Sequence, residues 1–181
     1  MDKRPVLTFS HVGIWVTDLD AMRAFYTDVL GLVETDRGPI GDTELVFLSQ
    51  SPSDHHQVVL ARGRPRDVGF TTVNQLSYKL DSLETLKAVY ADIKTKPVKE
   101  LVQISHGNAW SIYFEDPEGN RIELFVDTPW YTPQPCREPL DLTKPVEQIM
   151  KETEDYCRSR PRFASHAEWQ RELREKIAAT R

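Results

Sequence analysis

Three features of the chain predict an α+β fold made of two βαβββ modules. "HVGIWVTDLDAMRAFY", from His11, recurs without a gap as "QLSYKLDSLETLKAVY", from Gln75, at an offset of 75 − 11 = 64 residues. Each copy opens with the period-2 alternation of a half-buried strand and then changes to helical spacing behind a capping residue, Asp18 or Ser82. Each is followed by three runs of strand-like composition. A βαβββ unit cannot cover both faces of its own sheet. Two copies related by a pseudo-twofold should therefore form a curved, open mixed sheet with helices outside and a central cleft.

The elements follow in order. Val12, Ile14 and Val16 form the apolar side of the first strand, and Leu76, Tyr78 and Leu80 that of its repeat. The first helix should run to about Leu30 and stop at Gly31, which suits the position just past a helix end. "LVETD", "TELVFLS" and "HQVVLAR" are the remaining strands of the first copy, and "VKELVQIS", "WSIYFED" and "NRIELFV" those of the second. Between the last two, "DPEGN" reads as a hairpin turn with Gly119 at the positive-φ position. The paired modules thus occupy residues 1–127, one copy at about 6–63 and the other at about 70–127.

Residues 128–181 differ in character. "DTPWYTPQPCREPLDLTKP" is proline-rich, which argues against sheet and for an extended strap, whose Trp130 and Tyr131 are expected either to close one side of the cleft or simply to pack on the surface. Two helices should follow. One carries Val146, Ile149, Met150 and Thr153 as its stripe; the other begins with a Ser165–Glu168 capping box and carries Trp169, Leu173 and Ile177. Both stripes are expected to bury on the body of the protein.

A net charge of −5 with no basic block argues against nucleic acid or an anionic membrane surface as partner. No apolar run approaches the roughly 20 residues of a membrane span. The start, "MDKRPVLTF", lacks the pattern of a secretory leader, so a cytoplasmic location is expected. Cys136 and Cys157 form no CxxC pair and are expected to be inert thiols.

Alternation also assigns faces. With the apolar side of each first strand turned to the helices, His11 and Gln75 fall on the other side, and so does Glu123, flanked by Ile122 and Leu124. The 64-residue offset sends Glu123 to Val59, so four symmetry-related positions carry three metal-capable donors: His11, Gln75 and Glu123. A lone strand histidine is usually a hydrogen-bonded core residue, and "DHH" and "SHGN" can each be read as ordinary polar turns. Three donors on equivalent positions of a repeat favour a divalent metal site instead.

With these motifs in hand, the chain resembles the vicinal oxygen chelate superfamily (glyoxalase, bleomycin resistance protein, extradiol dioxygenase) over residues 6 to 127. "HVGIWVTDLDAMRAFYTDVLGL" and "FEDPEGNRIELF" carry the resemblance. "DHHQVVL", "NQLSYKL", "SHGNAWSIYF" and "GNRIELF" follow the order seen in the catalytic domain of type I extradiol ring-cleavage dioxygenases. The resemblance implies iron ligands at His11 and Glu123, an acid–base role for His56, and substrate hydrogen bonds from His106 and Tyr113. It implies Fe(II), a catechol-like aromatic substrate, O₂ as co-substrate and a homodimer or higher homo-oligomer. Gln75 departs from the pattern, standing where the second ligand histidine would be. Its amide oxygen is neutral, as imidazole is, but is a harder and weaker donor that shifts preference toward Mn(II) or another divalent metal. Val59 removes the fourth ligand of glyoxalase I. Three functions follow as expectations: an extradiol-type dioxygenase; a non-oxidative metalloenzyme of the same fold, such as an isomerase, epimerase or lyase; or a small-molecule binding protein.

Overall fold

A computed structural model describes residues 6–180, and the opening residues 1–5, on which part of the leader expectation rests, lie outside it. Two compact units emerge, one of residues 6–74 and 115–120, the other of residues 75–114 and 121–180.

In the first unit, β1 (Val12–Val16) leads into α1 (Leu19–Asp28), then β2 (Val33–Ile40), β3 (Thr43–Ser49) and β4 (Val58–Arg62). The helix starts because the Asp18 side chain accepts from the Ala21 N–H. It ends at Val29, and Gly31 follows at φ +73°. The sheet order is β1-β4-β3-β2, with β1 parallel to β4 and the other pairs antiparallel. Ile14 and Val16 bury with Leu19, Met22, Tyr26, Leu48 and Leu60, while Trp15 between them is exposed, as period-2 alternation requires. The "DPEGN" turn belongs to this unit. Asp116 accepts from the Glu118 and Asn120 N–H groups, and Gly119 takes φ +79°.

The second unit repeats the plan with β5 (Leu76–Lys79), α2 (Leu83–Ile93), β6 (Lys99–Ser105), β7 (Ala109–Glu115, its last residue counted with the first unit) and β8 (Arg121–Asp127). The tail then supplies β9 (Trp130–Tyr131) and β10 (Glu138–Pro139). The order of the second sheet, β10-β6-β7-β8-β5, is that of the first with one strand added. The repeat extends to the register: Gly13 pairs with Val59 in β1/β4, and Ser77 with Glu123 in β5/β8, each residue displaced by the same 64 positions. Trp110, Ile112, Phe114 and Ile122 form the core with Leu86 and Ile93 of α2.

The tail departs from expectation in two places. The strap contains short strand pairs, β9 with β11 (Ala164–Ser165) and β10 with β6. Proline is tolerated there because β10 is an edge strand. Its rings pack within the second unit, Trp130 edge-on to Trp110 and Tyr131 stacked on Trp169. Helix α3 (Val146–Ser159) buries Ile149, Thr153 and Cys157, and Thr153 accepts from the Trp110 indole N–H at 2.8 Å. Helix α4 (His166–Ala179) has the expected Ser165–Glu168 capping box, but Leu173 and Ile177 stay 39% and 42% exposed, so its apolar stripe is not buried. No helix among the described residues is long and apolar enough to cross a membrane.

Candidate functional site

Four of the six candidate residues come together in the second unit. Strand β8 places Glu123 between Ile122 and Leu124, and its side chain is nearly buried at 6% exposure. A buried carboxylate needs partners. Gln75 Nε2 donates to Glu123 Oε2 at 2.7 Å and to Ser77 Oγ at 2.9 Å, and the Ser77 hydroxyl donates to the same carboxylate oxygen at 2.5 Å. The Tyr113 hydroxyl donates to Glu123 Oε1. Burial first, then the adjacent carboxylate, pushes the Tyr113 pKa well above the ordinary value, so the phenol remains an O–H donor.

His106 stands behind Tyr113, its Nε2 2.9 Å from the phenol oxygen and 4.0 Å from Glu123 Oε1. Its Nδ1 lies 2.7 Å from the Cys136 carbonyl oxygen. A carbonyl only accepts, so Nδ1 carries a proton and Nε2 is the nitrogen turned to Tyr113.

The other two candidates meet in the first unit. His11, exposed and 3.2 Å from Ser10 Oγ, packs edge-to-face on His56 with ring centroids 4.3 Å apart. His56 Nδ1 lies 3.0 Å from His55 Nδ1, and His55 Nε2 lies 2.9 Å from Asp36 Oδ2. Proton counting orders this chain. Asp36 accepts, so His55 Nε2 donates to it; the free His55 Nδ1 then accepts from His56 Nδ1–H, leaving a lone pair on His56 Nε2. The irregularity in β2 between Glu34 and Asp36 sets Asp36 opposite Phe47, whose ring packs on both His55 and His56. Burial, and after it the charges of His11 and His55, hold the His56 pKa below its usual value, which favours the neutral base.

Sequence reasoning missed Ser77, His55 and Asp36. Ser77 had a signal: it follows Gln75 by two residues on the same strand face and pairs with Glu123 in register. Asp36 had none, because a bulge shifts its register. Among the described residues, no group of three or more His, Cys, Asp or Glu side chains is placed to hold a metal ion. The expected donor set contains only two such residues, His11 and Glu123, with an amide as the third. The Gln75 and Glu123 ends do suit one small cation, since 2.7 Å is close to the separation of two adjacent oxygen ligands and a half-turn of the amide exchanges nitrogen for oxygen.

Comparison with known proteins bears on the family and the fold. Residues 8–124 match the family model described as the Glyoxalase/Bleomycin resistance protein/Dioxygenase superfamily. Biphenyl-2,3-diol 1,2-dioxygenase 2 of Rhodococcus globerulus is 32% identical over 123 residues, and biphenyl-2,3-diol 1,2-dioxygenase 3 of the same organism is 28% identical over a match of the same length. These matches cover 66% and 65% of this chain and 62% of each relative, so the chain corresponds to less than two thirds of their length. Among solved structures, a point mutant of the genomically encoded fosfomycin resistance protein FosX from Listeria monocytogenes, complexed with Mn(II), superposes at a TM-score of 0.55. It is 20% identical, over 68% of this chain and 95% of that one. Glyoxalase I from Leishmania major gives 0.52 at 18% identity, over 85% and 97%. At these identities the structures are alike in fold alone.

Proposed function

The chain belongs to the Glyoxalase/Bleomycin resistance protein/Dioxygenase superfamily, and on that premise we propose that it is a metal-dependent extradiol-type dioxygenase that cleaves a catechol-like aromatic substrate with O₂. The observation that carries this reading is the network on Glu123, where one buried carboxylate gathers the amide, phenol and imidazole that lie far apart in the sequence. The 32% identity to a biphenyl-diol dioxygenase supports the choice of reaction.

In this reading His11, Gln75 and Glu123 hold one divalent metal, Fe(II) or, given the amide donor, Mn(II). The metal, when bound, supplies the Lewis acidity and redox chemistry that bring adjacent substrate oxygens and O₂ together. The protein's own groups do the rest. His56 Nε2 accepts a proton from a substrate hydroxyl, a role its lone pair and lowered pKa suit. Tyr113 and His106 hydrogen-bond the substrate oxygens and fix their orientation. A non-oxidative isomerase, epimerase or lyase of the same fold is the second reading, and Gln75 favours it, because a harder oxygen donor suits metals that do not cycle electrons.

Metal analysis of protein purified without chelator, followed by oxygen uptake with a catechol, tests the proposal. One metal per chain is expected, lost in Glu123→Ala, which removes the only charged ligand, together with stoichiometric O₂ consumption. Metal without oxygen uptake would leave the second reading standing, and a Glu123→Ala protein with undiminished metal would show the site misplaced.

A further inference from the structure

We infer that the strap beyond the repeat, residues 128–136, is the positioning element of His106, with Gln134 and the Cys136 carbonyl together selecting its ring tautomer. This lies outside the region matched by the family model, which ends at residue 124.

His106 is held at both ends by two strap residues that are themselves joined. Gln134 Nε2 donates to the His106 backbone oxygen at 2.8 Å and to Asn108 Oδ1 at 3.0 Å, while its Oε1 accepts from the Cys136 N–H at 3.0 Å. Cys136 in turn presents its carbonyl to His106 Nδ1 at 2.7 Å. The result is a closed ring of hydrogen bonds running from the His106 backbone through Gln134 and Cys136 to the His106 imidazole. A histidine tied only through its side chain would swing with the turn that bears it. This one is fixed relative to that turn.

The strap also grips the turn independently. The Thr128 hydroxyl donates to the Gly107 carbonyl at 2.6 Å, and the Thr128 N–H to the Asn108 carbonyl at 3.0 Å. Strand β10 then pairs Glu138 with Ser105 and Pro139 with Ile104. Cys136 is buried at 7% exposure, so water does not compete readily for its carbonyl. Because that carbonyl can only accept, it holds a proton on Nδ1 and turns Nε2 to the Tyr113 oxygen, the orientation that a hydrogen-bonded partner imposes on a working histidine. Gln134 is thus a positioning residue, acting through His106.

The catalytic meaning rests on the proposed reaction; the positioning does not. Long-range ¹H–¹⁵N spectra at pH 8, with the His106 signals assigned by their loss in His106→Asn, read the tautomer directly. Wild type should show a protonated Nδ1. In Gln134→Ala the Cys136 N–H loses its acceptor and a tautomer mixture is expected, with kcat lowered about tenfold and KM within about twofold. Gln134→Glu keeps an acceptor for the Cys136 N–H but sets a carboxylate oxygen against the His106 carbonyl and Asn108 Oδ1, so it breaks the ring and should give the mixture as well. Should Gln134→Ala prove unfolded by its thermal melt, the glutamate variant must show the mixture, and Asn108→Ala, which leaves the Gln134 bonds to His106 and Cys136 intact, must keep the Nδ1–H form. A wild-type ring with no proton on Nδ1, or an unchanged Nδ1–H ring in folded Gln134→Ala, overturns the inference. A wild-type protein with the Nδ1–H signature that cleaves no catechol overturns the reaction and supports the clamp.

Discussion

Gln75 presents its amide nitrogen to Ser77 and Glu123, which leaves the amide oxygen as the end free to turn toward a cation. Exchanging it for histidine separates the two readings of the site. If the protein is a dioxygenase with a weakened donor set, Gln75→His should tighten Fe(II) binding and keep or raise catechol cleavage. If the glutamine is fitted to a non-oxidative reaction, iron should still bind more tightly, because that depends on the donor atom, while the native activity falls. Iron affinity by titration and turnover on the same preparations decide it; an unchanged affinity would show that residue 75 is not a ligand. His56 supplies a second expectation at this scale. His56→Ala should leave metal content intact and lower turnover by about 10²- to 10⁴-fold, the usual share of a positioned acid–base group. Since the folded environment lowers its pKa, the ring loses its proton before pH 6.5 is reached on the way up, so the acid limb of the wild-type pH–rate profile should lie below pH 6.5.

At the scale of elements, the turn between β6 and β7 is the most constrained piece. Gly107 sits at φ +72°, and a Cβ there would come within 2.4 Å of Thr132 Cγ2 and 3.2 Å of Cys157 Sγ. Gly107→Ala must both strain the backbone and push the strap away, so about 1–3 kcal/mol of stability should be lost in urea unfolding. A loss below a few tenths would mean that the strap is not packed against this turn. "SHGN" was legible in the sequence as a turn, but what presses on Gly107 was not, because a contact between residues 107 and 132 has no periodicity to betray it. The repeat was legible for the opposite reason: the same 64-residue shift that aligns the letters also aligns the strand registers, so β1, α1, β5, α2 and the Asp116–Asn120 turn stand where alternation, caps and Gly119 put them. Strand alternation likewise put Gln75 and Glu123 on one face. Ser77 shared that face and was overlooked because a serine beside a glutamine has no chemistry of its own until the carboxylate pairs with it. The α4 stripe misled, since helical spacing of Trp169, Leu173 and Ile177 says which side is apolar without saying what covers it.

Across the whole chain, the tail divides into a part that the second unit needs and a part that it does not. Trp110 is 2% exposed, and its neighbours include Trp130 of the strap and Thr153 of α3, which takes the indole proton. Ile149, Thr153 and Cys157 are buried on the same side, and Lys87 of α2 donates to the Leu142 carbonyl at 2.6 Å. Ending the chain after Asp127 would therefore uncover a tryptophan, leave a buried indole N–H without its acceptor and strip the clamp from His106. Each of these costs about 1–3 kcal/mol, a sum comparable to the whole stability of a small domain. That truncation should abolish cooperative unfolding and with it both metal and substrate binding. Helix α4 buries no residue and is tied by the Tyr131–Trp169 stack, the β9–β11 pair and His166 at 3.1 Å from the Thr128 carbonyl oxygen. Ending the chain after Phe163 should therefore keep a single cooperative transition, with Tm lowered by several degrees and metal binding preserved. Calorimetry on the two truncated chains separates these outcomes. A cooperative melt for the chain ending at Asp127 would mean that the repeat folds unaided and that the strap serves the site alone.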